Sequence, residues 1–126
     1  LSLLEGEATK EAASKAKEKD LNDLDDMHLR LEKAAADRNL DQFFEINVRF
    51  HERIIAIANN PWMTSVIADL RKVLKLQRKD SLSRSGRLQS SLSEHREILK
   101  ALLKRDPIAA EQAMRTHLAR GLEAAK

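Results

Sequence analysis

Glycine and proline are nearly absent from this chain, with three Gly and two Pro in 126 residues. These residues are the strongest local terminators of regular structure, and the rest of the sequence is rich in Ala, Leu, Glu, Lys and Arg, which lose little side-chain freedom in a helix. An almost wholly helical fold is therefore expected, at a length that suits one domain rather than two. An apolar content of 42% excludes a disordered polyelectrolyte. No apolar run approaches the roughly 20 residues that a membrane-spanning helix needs, so the chain reads as soluble. Cysteine is missing. That excludes disulfide scaffolds and thiolate metal sites, and leaves nitrogen and oxygen as the donors for any metal.

The formal net charge is +3, with acidic residues interspersed among the basic ones almost everywhere. No phosphate-binding stripe results, and direct DNA binding by this segment is not expected. The chain begins at Leu1, without an initiator Met and with helical periodicity already running. This is the pattern expected of a fragment whose upstream part has been removed.

Apolar spacing divides the chain into six helices. The first is expected over 2–18, with Leu3, Leu4, Ala8, Ala12 and Ala16 on one face and Gly6 as a weak point. Asp20 is the expected cap of a second helix over 21–38, whose stripe is Leu21, Leu24, Met27, Leu31, Ala34 and Ala35. After the break at Asn39, a third helix over 40–58 presents Phe43, Asn47, Phe50, His51, Ile54 and Ala58 at spacings of three and four. Asn60 and Pro61 start a fourth, carrying Trp62, Val66, Ile67, Leu70, Val73, Leu74 and Gln77 and fraying through Ser81 to Gly86. The fifth, over 87–105, has Leu88, Leu92, His95, Leu99 and Leu102 in near-heptad register. Asp106 and Pro107 restart the chain into a sixth helix with Ala110, Ala113, Met114, His117 and Gly121 along one side.

Three apolar stripes are thus interrupted by histidine. A buried imidazole has two ring nitrogens to satisfy, through a hydrogen-bond partner, a metal or a solvated cavity. Each histidine taken singly reads as a core residue bonded to a carbonyl or carboxylate. Taken together, with helices three, five and six facing one another in an antiparallel bundle, His51, His95 and His117 converge with the side-chain oxygen of Asn47, one turn before His51. That constellation is a three-nitrogen, one-oxygen metal site. His28, at the edge of its own stripe, reads as peripheral to it.

At these residues the chain resembles the FCD domain, the C-terminal effector-binding domain of FadR-type regulators in the GntR family. The resemblance covers essentially all 126 residues. It is carried by Leu4-Glu5-Gly6-Glu7-Ala8, Asn47-Val48-Arg49-Phe50-His51, Ala58-Asn59-Asn60-Pro61-Trp62, Ser93-Glu94-His95-Arg96-Glu97-Ile98-Leu99, Asp106-Pro107-Ile108-Ala109-Ala110 and Met114-Arg115-Thr116-His117-Leu118. It implies an all-helical bundle with an internal cavity in which Asn47, His51, His95 and His117 hold one divalent transition metal, zinc or nickel foremost. Many relatives carry Asp at the Asn47 position, and the neutral amide removes one negative charge. The family often has Arg where this chain has Leu1.

Open coordination positions on such an ion suit a small carboxylate effector, as the resemblance also implies. Arg71 and Arg78 on helix four are the candidates to clamp the anion, with Arg49 a weaker one. Trp62 is a candidate pocket wall or an ordinary core residue. The implied whole is a cytoplasmic homodimer that senses a carboxylate and touches DNA only through an N-terminal winged helix-turn-helix absent from this chain. Two other classes compete. In one, Glu52, Glu94 or Glu97 serves as base for a metal-dependent hydrolase, although Ile55 stands where a zinc-protease motif beginning at His51-Glu52 needs its second histidine. In the other, the chain is a metal-free helical interaction module with structural histidines.

Overall fold

A computed structural model describes residues 1–125, with the side chains of 1–73 and 81–124. It is a bundle of six helices: α1 (Ser2–Lys15), α2 (Glu18–Ala36), α3 (Leu40–Ala58), α4 (Pro61–Ser81), α5 (Arg87–Leu103) and α6 (Pro107–Ala125). No strand occurs among the described residues. The expected six-helix, all-α architecture is what the chain adopts.

Three helix starts carry side-chain caps, at the expected break of Asn39 and at the expected starts of Asn60 and Asp106. Asn39 Oδ1 accepts from Gln42 N at 3.0 Å, Asn60 Oδ1 from Met63 N at 3.1 Å, and Asp106 Oδ1 from Ala109 N at 3.1 Å. Asp20 is a correction. It occupies the third helical position rather than the cap, and its carboxylate reaches back to Lys17 N at 2.9 Å, so α2 begins three residues before the expected Leu21. Two helix ends are closed by arginines in the left-handed region, Arg38 and Arg105, at φ 54° and 53°. Beside them Asn39 N bonds Ala34 O and Asp106 N bonds Ala101 O, the wrap that satisfies the last carbonyls of α2 and α5. This is why α5 stops at Leu103, short of the expected Arg105.

α1 lies most extensively against α6, with α5 packed on α6 and α2 on α3. The α1 face is made of small residues, Gly6, Ala8, Ala12 and Ala13, all buried. They bring α6 close enough that a Cβ on Gly6 would stand 2.6 Å from Arg115 Cγ. The main core joins Ala12, Leu24, Phe50, Ile54, Leu102 and Met114 from five helices. Each large apolar side chain buried there contributes about 1.5–3 kcal/mol relative to exposure.

α4 departs from expectation. Of its apolar residues with described side chains only Ile67 is buried, packed with Ala8, Ile55 and Ala58 beside the partly buried Met63. Trp62 is 84% exposed and Val73 78%, with Val66 and Leu70 also exposed. Two apolar rows run along this helix, and the one through Met63 and Ile67 is the one that docks. Trp62 is therefore neither core nor pocket wall. The side chains of Leu74 and Gln77 lie outside the described residues. Leu3, expected on the inner face of α1, is likewise exposed, because the docked face of that helix runs through Glu5, Ala8, Thr9 and Ala12.

Candidate metal centre

α3, α5 and α6 each turn one histidine inward, because each histidine occupies a position on an apolar stripe that the packing buries. His51 and His95 are fully buried and His117 nearly so. The rings form a close group, with centroids 5.2 Å apart for His51 and His95, 5.3 Å for His51 and His117, and 4.6 Å for His95 and His117. One ligand nitrogen from each lies within 4.8 Å of the other two. Among the described residues it is the one such grouping of metal-donor side chains. Ligand nitrogens of a tetrahedral zinc site lie roughly 3.3 Å apart, a spacing of the same order as that within this group.

His95 is the least satisfied member of the group. Neither ring nitrogen has a hydrogen-bond partner, although the ring is wholly buried beside Phe50, whose centroid is 4.8 Å away. Burial holds its pKa well below the ordinary histidine value, with the neighbouring His117 and His51 adding to the depression. A neutral imidazole with lone pair exposed to other donors is the form that binds a cation. Asn47, one turn before His51, is also buried, and its Oδ1 makes no hydrogen bond. It shares with His117 and Arg87 the wall of a small pocket of about 30 Å³. The orphaned buried acceptors and the all-nitrogen-and-oxygen donor set fit a divalent transition metal.

Two buried carboxylates flank the group. Glu5, on α1, places Oε1 2.9 Å from His51 Nδ1 and accepts from Arg71 Nη2 at 2.6 Å. Glu94, on α5, lies 2.6 Å from His117 Nδ1 through Oε1 and takes both Nη atoms of Arg87, at 3.0 and 2.9 Å. Burial alone raises the pKa of the Glu94 carboxyl, but hydrogen bonds from His117 and Arg87 and their charges outweigh it, leaving the group below its ordinary value. Neither glutamate was assigned this place by the motif reading. The signal was there: Glu5 precedes Ala8 and Ala12 by three and seven, and Glu94 follows Ser91 and precedes Ile98 and Ala101, so each is an acid on a buried helical face.

The two arginines expected to clamp an anion differ in how far they can be described. Arg71 lines a cleft of about 320 Å³ between α3 and α4, with Phe44, Val48, Ile67 and Ala68 among its walls. Asn47 lines the same cleft. Arg71 is not a free cation, since Glu5 holds one of its nitrogens, while its Nε makes no hydrogen bond. Arg78 lies outside the described side chains. Arg49 is an exposed surface residue paired with Glu45 at 2.9 Å. His28 is outside the histidine group, as expected, but buried rather than peripheral in the packing sense. Its Nε2 stands 3.2 Å from Glu32 Oε1, and burial lowers its pKa.

A family model for the FCD domain matches residues 1–120. Among curated proteins, the HTH-type transcriptional repressor RspR of Escherichia coli strain K12 is 32% identical over 94 residues, which are 74% of this chain and 41% of that protein. An uncharacterized HTH-type transcriptional regulator, YdfH of Shigella flexneri, matches to the same extent. The chain thus spans about two fifths of the length of these relatives. Among solved structures, McbR/YncC of E. coli superposes with a TM-score of 0.89 at 18% identity, over 98% of this chain and 63% of that one. Streptococcus agalactiae GntR superposes with a TM-score of 0.80 at 24% identity, over 94% of this chain and 52% of that one.

Proposed function

This chain belongs to the FCD domain family, and on that premise we propose that it is the effector-sensing domain of a GntR-family transcriptional regulator, binding a divalent metal and a small carboxylate. The observation that carries the metal reading is the gathering of three buried histidines from three helices, among them His95, whose two nitrogens find no partner in the protein. His51, His95 and His117, with Asn47, would hold the ion, zinc or nickel by donor chemistry. When bound, such an ion supplies open coordination positions that a carboxylate can fill.

The cleft supports a carboxylate whose body is apolar. Its walls are mainly aliphatic and aromatic, it reaches Asn47 at one side, and Arg71 stands in it with an unused Nε. Arg78 remains part of this proposal, one pair of helical turns beyond Arg71. A ligand tying α3 and α4 together in the cleft favours one arrangement of the domain over another, and so biases the placement of winged-helix DNA readers attached upstream. The working form would be a cytoplasmic homodimer. No helix among the described residues is long and apolar enough to cross a membrane, and the exposed row of Trp62, Val66, Leu70 and Val73 offers apolar surface of the kind that subunits cover.

The competing classes have less support. A hydrolase needs a free base beside the ion, and Glu94 is instead held by Arg87 and His117, while the relatives are named as regulators. A metal-free module leaves His95 buried with both nitrogens unsatisfied, at a cost of about 1–3 kcal/mol for each such group. Elemental analysis of untagged protein purified without chelator tests the reading, alongside His51→Ala and His117→Ala. About one transition metal per chain, lost in both variants, supports it and directs a carboxylate screen by thermal shift. No uptake even after incubation with zinc or nickel removes the metal from the function.

A further inference from the structure

Glu5 and Glu94 are far more buried than acidic side chains ordinarily are, at 1% and 6% exposure. Each meets the Nδ1 of a histidine on a different helix, α1 to α3 for Glu5 and His51, and α5 to α6 for Glu94 and His117. An ionised carboxylate can only accept, so the nitrogen facing it must carry the proton. A neutral ring protonated at Nδ1 has its lone pair on Nε2. We infer that Glu5 and Glu94 are positioning residues that hold His51 and His117 in the Nδ1–H tautomer, so that Nε2 is the nitrogen each ring offers to a metal.

The carboxylates are themselves held. Arg71 on α4 bonds Glu5, and Arg87 bonds Glu94 through both of its terminal nitrogens. Two chains of arginine, glutamate and histidine therefore lead into the group, each running from a cation to a ring. A carboxylate behind an imidazole does more than aim it, because the negative charge raises the basicity of the far nitrogen and strengthens it as a ligand. His95 has no such support, since both of its nitrogens lack a partner. Its ring packs against Phe50.

This role presupposes the metal reading, but the tautomer can be tested without any metal. Long-range proton–nitrogen correlation spectra of uniformly labelled, metal-free protein distinguish the two neutral tautomers at alkaline pH, with signals assigned through His51→Gln and His117→Gln. The expected result is a bare Nε2 on both rings. A proton on Nε2 of either ring in the unsubstituted protein overturns the assignment for that pair. The second arm measures zinc and nickel affinity by chelator competition in Glu5→Gln and Glu94→Gln. Each should bind about 10–100-fold more weakly than the unsubstituted chain, with far-ultraviolet circular dichroism unchanged. Equal affinity in the folded variants overturns the positioning role. Should Glu94→Gln fail to fold, Glu5→Gln decides, because Arg71 borders the open cleft and can turn toward water. If the unsubstituted chain takes up no metal, the metal reading fails, and the tautomer spectra still decide whether the carboxylates hold the rings.

Discussion

The Glu94 and Glu5 units are built from the same three side-chain types and differ in how completely they are closed. Glu94 is saturated: His117 and Arg87 occupy both oxygens, and Arg120 approaches to 3.7 Å. Arg87 is itself only 8% exposed. Glu5 serves His51 and Arg71 through one oxygen, while its Oε2 and the Nε of Arg71 make no hydrogen bond. The difference follows the packing. α5 and α6 sit in the main core, whereas α4 contributes only Ile67 to the buried apolar residues among its described side chains and leaves a cleft against α3. One half of the domain braces the histidine group, and the half with spare polar capacity is the one that borders the cleft proposed for the carboxylate.

The sharpest way to break this contrast is to remove each carboxylate. Glu94→Ala leaves Arg87 charged and enclosed and should cost about 3–5 kcal/mol in denaturant unfolding. Glu5→Ala should cost less, about 1–3 kcal/mol, because Arg71 can reach solvent through the cleft. An equal or larger loss at Glu5 would mean the cleft side is no looser than the other. On α4 itself, Ile67→Ala should destabilise by about 2–4 kcal/mol. Trp62→Ala should change monomer stability by no more than about 0.5 kcal/mol. A large effect of Trp62→Ala that depends on protein concentration would place that row in a subunit contact.

Acid should weaken the metal-free domain through its histidines. His95 and His28 both have pKa values pushed below the ordinary one by burial, so on acidification the unfolded chain takes up their protons first. Stability should start to fall below about pH 6.5, by at most about 1.4 kcal/mol per pH unit for each ring. Thermal melts of metal-free His95→Leu should show a shallower slope than the parent. Glu94 adds a second, lower window: its stabilisation is present above the ordinary glutamate range and is lost only as pH drops through its depressed folded value. A smaller gain is expected at the α5 terminus. Arg105→Gly relieves a left-handed backbone on a residue with a side chain and should stabilise by about 1 kcal/mol in the same melts.

Much of the scaffold could be read from residue spacing. The inward rows of α3 and α5 were legible because apolar residues recur there at three and four, and the break at Asn39, the cap at Asn60 and the restart at Asp106 were legible because helix ends are set by local events within four residues. The histidines of the group could be named for the same reason, as polar residues standing on apolar rows. α4 could not be read this way, since it has two apolar rows and periodicity carries no information about which of them meets the bundle. Asp20 was misplaced by a similar ambiguity, because a carboxylate at the cap and one at the third position leave nearly the same trace in sequence.

By itself, then, the sequence determined a helical chain, its breaks, the faces that must be buried and the presence of three imidazoles on them, because these depend on contacts within a few residues. Only the tertiary structure decided that Glu5 stands behind His51, Glu94 behind His117 and Arg71 behind Glu5. The partners of the first and last pairs are separated by 46 and 66 residues. Such pairings depend on how helices rotate and stack against one another, and that is set by the summed packing of the whole core rather than by any local pattern.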